Sequence, residues 1–139
     1  MSQHFFSPQR KIWFEPGITL IRIITGTMMI YHGFEIFDNN LMLDYSKRLT
    51  ELHFPNPPLM AYLGKGAELV AGILITIGLF TRLAVWPMII TMLLIAFGMG
   101  QGKVYYEDQH PFLFVLIGLF FFFNGSGKYS LDQYFYGNR

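Results

Sequence analysis

The 139-residue chain contains no cysteine. This excludes disulfides, thiol redox chemistry, iron–sulfur clusters and covalently attached c-type haem. Charged residues make up 14% of the chain, against about 25% in an average soluble domain. The formal net charge of +1 provides no basic surface for nucleic acid. Hydrophobic residues reach 53%, which leaves too few polar side chains to cover a soluble bundle. We therefore predict one small membrane domain, residues 1–139.

Long apolar stretches predict the fold. About 20 residues of α-helix cross a bilayer core about 30 Å thick. Residues 83–102 contain no charged residue, and residues 109–127 contain one titratable side chain, His110. Two other apolar stretches are long enough but carry ionisable residues. The sequence predicts an all-α integral membrane protein, a bundle of four transmembrane helices over residues 16–37, 58–80, 82–100 and 109–124.

The connection between the first two predicted spans has a helical pattern of its own. Its apolar residues recur at helical spacing, with the charged residues mostly on the opposite side. The apolar positions are Leu41, Tyr45, Leu49 and Leu52. This pattern predicts a short amphipathic helix over about residues 41–53 that lies flat at the membrane surface.

The basic residues outside the spans predict the orientation. Four spans place both termini on the same side of the membrane. The basic residues on that side are Arg10, Lys11, Arg82, Lys128 and Arg139, and those on the other side are Lys47, Arg48 and Lys103. Because basic residues are more frequent in cytoplasmic loops, we expect a multi-pass membrane protein with both termini in the cytoplasm.

Ionisable side chains inside the first two spans are the candidate functional residues. A charged side chain at the bilayer centre costs about 2.5–3.5 kcal/mol, so we expect these groups to meet one another. His32 and Glu35 are three residues apart, as are Lys65 and Glu68, which places each pair on one helix face. Because the two spans run antiparallel, the four side chains should converge in the outer half of the bundle, where His110 enters the same layer.

Arg22 lies deeper toward the inner side, where no acidic residue of another span shares its depth. Two placements are open: the side chain extends to the inner interface, or it reaches Glu68 across the bundle. Lys65 and Glu68 remain the best candidates for a buried pair. The cluster has two interpretations. It is an ion network that fixes helix register, or it is a functional site, either a binding pocket or a proton path. Histidine, which changes charge nearest to neutral pH, favours the functional interpretation.

The sequence contains no phosphate loop, nucleophile elbow, dinucleotide fingerprint or metal-spaced His/Asp set, so we expect no metal site. His32 and His110 lie on different helices and could ligate haem, but no spacing motif favours haem. The abundant Phe and Met residues could instead line a groove for an isoprenoid chain.

Three segments resemble the DoxX family of small bacterial membrane proteins. The first contains Arg22-Ile23-Ile24-Thr25-Gly26, His32-Gly33 and Phe37; the second contains Glu68, Gly72, Gly78 and Thr81-Arg82; the third is Gly125-Ser126-Gly127-Lys128-Tyr129-Ser130-Leu131-Asp132. The resemblance extends from Leu20 to Asp132. Many members carry a lysine where this chain has Ile36, so no role of that lysine applies here.

The resemblance implies a four-span bundle and gives weight to Arg22, His32 and Glu68. Named members of the family include a subunit of an archaeal thiosulfate:quinone oxidoreductase and a mycobacterial partner of oxidant-detoxifying enzymes. The resemblance implies a protein of the bacterial inner membrane that is a membrane subunit or accessory of a redox complex. Together with the polar cluster and the Phe and Met content, it makes a quinone the cofactor that we consider, bound in the polar pocket, with soluble or membrane redox proteins as partners. Two alternatives are a non-catalytic scaffold with structural charges and a small transporter, which would need to be a homo-oligomer to form a pore.

Overall fold

In a computed structural model that describes residues 13–137, the chain is helical and contains no strand within that range. The elements are α1 (Phe14–Gly33) with a 3₁₀ continuation (Phe34–Phe37), α2 (Asn39–Glu51), α3 (Pro57–Ile77), α4 (Thr81–Leu93) with a π-helical continuation (Leu94–Met99), α5 (Gln109–Asn124) and α6 (Leu131–Tyr136). The all-α prediction is confirmed. Arg10, Lys11 and Arg139, which support the orientation, lie outside the described residues.

Two of these helices have both the length and the composition to cross a bilayer. They are α3, with 21 residues, and α4 with its π-helical continuation, Thr81–Met99, with 19 residues. Helix α5 is apolar but has 16 residues. Helix α1 has 20 residues and contains Glu15, Arg22 and His32.

Helix α3 lies at the centre of the fold and packs against α1, α2 and α4, while α5 packs mainly against α4. Two glycines allow the backbones of α1 and α3 to touch. A Cβ atom at Gly72 would lie 2.6 Å from the amide nitrogen of Ile30, and one at Gly26 would lie 2.8 Å from the carbonyl oxygen of Gly72. Small residues permit such close approach between membrane helices, where dispersion contacts rather than the hydrophobic effect hold helices together.

Side chains from four helices form the main core. Its fully buried members include Met29 of α1, Ile75 of α3, Val85 and Met88 of α4 and Phe121 of α5. Many other large apolar side chains point outward, including Leu83 of α4, which is 70% exposed. An apolar exterior around an apolar core is the arrangement expected when lipid surrounds the bundle.

Helix α2 covers one side of α3. Its first turn is capped by Asp38, whose carboxylate accepts hydrogen bonds from the amides of Asn40 and Leu41. Met42 and Leu49 are buried against Ala61 of α3 in a small second core. The helix therefore lies where the sequence predicts one, but the face that packs is rotated from the predicted stripe, since Leu41 and Leu52 are each 37% exposed.

The segment after α5 closes the end of the bundle that carries both ends of the described chain. The Asp132 carboxylate accepts hydrogen bonds from the amides of Phe80 and Thr81 and so caps the start of α4. The Asp132 amide donates to the Gly78 carbonyl. The Glu15 carboxylate accepts from the Lys128 amide at 2.7 Å. Asp132 belongs to helix α6, which follows this segment and was not predicted from the sequence.

Candidate functional site

A lysine between two carboxylates forms the centre of the candidate site. Lys65 Nζ lies 2.8 Å from Glu35 Oε2 and 2.9 Å from Glu68 Oε2. The side chains of Lys65 and Glu68 are 8% and 2% exposed, whereas that of Glu35 is 21% exposed. Lys65 and Glu68 are three residues apart on one face of α3. Glu35 comes from the 3₁₀ turn after α1, and the close contact of α1 with α3 brings it to Lys65.

Tyr45 of α2 completes this network, and sequence reasoning did not include it. Its hydroxyl donates a 2.6 Å hydrogen bond to Glu35 Oε2, and its ring centroid lies 4.6 Å from Lys65 Nζ. Burial and the hydrogen bond to Glu35 raise the pKa of Tyr45 above its ordinary value. Tyr45 is one of the apolar residues that recur at helical spacing in α2, which is the pattern that could have indicated its burial. The sequence analysis instead predicts that this apolar face lies at the membrane surface.

Both candidate histidines lie beside the network. His32 Nδ1 is 3.7 Å from Glu35 Oε1. The rings of His32 and His110 are 5.8 Å apart, and both meet Phe114 in edge-to-face contacts. His110 is exposed and makes no ion pair within residues 13–137. Over the same residues, no group of three or more His, Asp or Glu side chains is arranged to hold a metal ion.

Arg22 is not part of this cluster, so the expected contact with Glu68 is wrong. The residue is 2% exposed, and its guanidinium donates to the backbone carbonyls of Ser126 and Tyr129. It does not reach Glu68. Two carbonyl oxygens of the segment after α5 accept hydrogen bonds from the Nη1 and Nη2 atoms, while Nε has no hydrogen-bond partner within the described residues, so Arg22 fastens that segment to α1.

A small apolar cavity adjoins the buried half of the network, and its volume is about 70 Å³. Helices α2, α3 and α4 form its wall, which includes Tyr45, Gly64, Lys65, Glu68 and Thr91. The π-helical turn contributes Leu94, Ile95 and Met99. Since a cavity of about 150 Å³ is known to hold benzene, this one has room for water but not for an aromatic ring.

The arrangement holds two carboxylates and one ammonium in a largely apolar surrounding. Lys65 balances one negative charge, and a proton on His32 or on a carboxyl group can balance the other. His32 Nδ1 lies 3.7 Å from Glu35 Oε1, which is longer than a hydrogen bond, so the imidazole has to approach Glu35 before a proton passes between them. The geometry therefore suits binding and exchange of a proton beside a small apolar space.

The apolar, all-helical bundle and the family match identify the chain as a membrane protein. The chain belongs to the DoxX family, whose model matches residues 17–101, so the resemblance found in the sequence motifs is confirmed. An uncharacterised protein of Haemophilus influenzae is 27% identical to this chain over 126 residues, which are 86% of this chain and 90% of that protein. No solved structure matches the chain.

Proposed function

We propose that this chain is a four-span protein of the bacterial inner membrane, with α1, α3, α4 and α5 crossing the bilayer and both termini in the cytoplasm. Helix α2 then lies at the outer interface and covers α3. The apolar exterior of the bundle and the five-to-three distribution of basic residues support this topology. In this orientation the Lys65 network lies in the outer half of the membrane.

The proposed activity is that of a membrane subunit or accessory of a redox complex, which binds a quinone-like molecule at the Lys65 network. The observation that carries this proposal is the network itself: Lys65 with two carboxylates at 2.8 and 2.9 Å, next to a histidine and an apolar cavity. Ionisable groups inside a membrane bundle mark a functional site more often than a structural one.

The residues have distinct roles in this proposal. Lys65 lines the cavity and donates a hydrogen bond to an oxygen of the bound head group, and Glu68 holds the Lys65 ammonium in place. Glu35 and His32 connect the buried site to the more exposed surface and exchange its proton. A bound quinone supplies two-electron chemistry, and a partner redox protein supplies the electrons.

The cavity has to widen before a ring can bind. At about 70 Å³ it holds less than half of the space that benzene needs. Helix α2 is the wall that can move, because its contacts with the network are one hydrogen bond and one cation–π contact of Tyr45. Its buried apolar contacts are those of Met42 and Leu49.

The first experiment is an absorption spectrum and a lipid extract of the detergent-purified protein, followed by thermal unfolding with a short-chain quinone. We expect quinone in the extract and a higher unfolding temperature with added quinone. Gly64→Leu should fill the cavity and abolish the shift, whereas Gly64→Ala, whose Cβ meets no atom within 4 Å, should retain it. Absence of quinone from the extract together with an unchanged unfolding temperature would refute the proposal.

A scaffold function is the second candidate, and one observation favours it. Lys65 pairs with both Glu35 and Glu68, so each of these three side chains has an ionic partner without a ligand. In that case Glu68→Gln reduces folding or assembly but leaves a reconstituted partner complex fully active. Under the quinone proposal, the same variant assembles less stably and also lowers the activity of the assembled complex.

A further inference from the structure

A second and larger cavity lies at the opposite end of the bundle from the Lys65 network. It measures about 750 Å³ and lies between the start of α1, the start of α4, the segment after α5 and α6. Its charged side chains are Glu15, Arg82, Lys128 and Asp132. We call it the terminal crevice. Its volume falls in the range of small-molecule sites, about 300–1,000 Å³.

The two carboxylates of the terminal crevice are already used by the fold. The Asp132 carboxylate accepts from the amides of Phe80 and Thr81 at 2.6 and 3.0 Å. The Glu15 carboxylate accepts from the Lys128 amide at 2.7 Å. Each negative charge is therefore satisfied by backbone donors, which pair with carboxylates in charge-assisted hydrogen bonds.

The two cations of the crevice have no such partner. Across residues 13–137, no carboxylate lies within ion-pair distance of the Arg82 or Lys128 side chain, and both residues are exposed. Arg82 extends over Gly125, where a Cβ would lie 3.6 Å from its Nε and Nη2 atoms. The buried Arg22 guanidinium adds a third positive charge behind the wall of the crevice, near Gly78. Within the described residues, the crevice therefore carries positive charge that no carboxylate balances.

Apolar surface begins at the edge of the crevice and runs away from it along α4. Leu83 lines the crevice and is 70% exposed, and Trp86 and Ile90 continue the same exposed face at helical spacing with 40% and 53% exposure. Two aromatic side chains also line the crevice, and the rings of Phe80 and Tyr136 are 5.9 Å apart. A ligand that fits both parts carries a negative charge at one end and a long apolar chain at the other.

We propose that the terminal crevice binds the head group of an anionic phospholipid, with the phosphate between Arg82 and Lys128 and an acyl chain along Leu83, Trp86 and Ile90. Basic pockets between membrane helices recognise anionic head groups in this way. The site is separate from the Lys65 network, so the proposal rests on the proposed membrane topology but not on quinone binding.

The test measures binding of phosphatidylglycerol and phosphatidylcholine to the detergent-purified full chain by native mass spectrometry and by thermal stabilisation. The wild type should retain phosphatidylglycerol in preference to phosphatidylcholine. Each cation near an anionic lipid contributes about fivefold in affinity, so R82Q/K128Q should bind phosphatidylglycerol about 25-fold more weakly. The matched control is K47Q/R48Q, which removes the same charge from exposed positions on α2 and should bind as the wild type does.

Three results would overturn the proposal. They are equal weakening by both double variants, equal binding of the two lipids by the wild type, and stabilisation by millimolar inorganic phosphate as large as that by phosphatidylglycerol. The last result would assign the crevice to a free anion. If R82Q/K128Q does not fold, the charge-preserving R82K/K128R variant and Leu83→Ser replace it: the first should keep the preference for phosphatidylglycerol, and the second should weaken lipid binding.

Discussion

The cost of removing Lys65 tests how the buried charges stabilise one another. Lys65→Met leaves two carboxylates without their shared cation, and breaking a buried ion pair on one side costs about 3–5 kcal/mol. We expect a loss of that size in the free energy of unfolding. Almost all of it should come from Glu68, whose side chain is 2% exposed, rather than from Glu35, which is 21% exposed and retains the Tyr45 hydroxyl and His32.

Double variants separate the two carboxylates. Lys65→Met combined with Glu68→Gln should recover most of the loss, because the remaining Glu35 charge keeps partners near the surface. Lys65→Met combined with Glu35→Gln should recover little, because it leaves the Glu68 carboxylate buried and unpaired. Equilibrium unfolding in mixed micelles, followed by Trp fluorescence, measures these free energies.

Lys47→Met is the control, since Lys47 is exposed on α2, and it should change the free energy of unfolding by no more than about 0.5 kcal/mol. The reasoning is wrong if Lys65→Met is as stable as this control. It is also wrong if the Glu35 and Glu68 double variants recover stability equally, because the difference in burial would then have no energetic effect.

Three further predictions address the helix contact, the closing segment and the network. Gly72→Ala should lower the free energy of unfolding by about 1–3 kcal/mol, because its Cβ would lie 2.6 Å from the Ile30 amide nitrogen. The control Gly64→Ala should be neutral or stabilising. Equal effects of the two variants would contradict the close contact. Arg22→Lys should speed amide hydrogen exchange over residues 126–129, because one ammonium cannot replace a guanidinium that reaches two carbonyls, and unchanged exchange would contradict this role. The raised pKa of Tyr45 means that folding favours its neutral phenol. This contribution to stability is complete below pH 10.0, the ordinary pKa, and is lost as the pH rises through the raised pKa. Thermal unfolding measured against pH should show that loss for the wild type and not for Tyr45→Phe.

The sequence predicted those features that depend on spacing along one helix. Apolar length located α1, α3, α4 and α5, and the three-residue separation of Lys65 and Glu68 placed them on one face. The antiparallel arrangement of the first two long helices was enough to bring Glu35 into reach. These predictions need only the geometry of an α-helix and the relative direction of two consecutive helices, and both follow from the sequence.

Features that depend on where a loop folds back could not be predicted in the same way. The partners of Arg22 are carbonyl groups more than 100 residues later, and backbone carbonyls have no signature in a sequence. Tyr45 satisfied the pattern of an apolar stripe equally well whether α2 faced lipid or α3. Helix α6 has six residues, too few for a periodic pattern to appear.

The shortness of α5 has a consequence for the surrounding membrane. Sixteen residues of helix extend about 24 Å, and a typical hydrocarbon core is about 30 Å thick. In the proposed four-span topology, lipid next to α5 therefore has to compress, at a cost of a fraction of a kcal/mol for each ångström of mismatch. This strain in the surrounding lipid favours thin regions of the bilayer and, in thicker ones, draws the short sides of neighbouring proteins together.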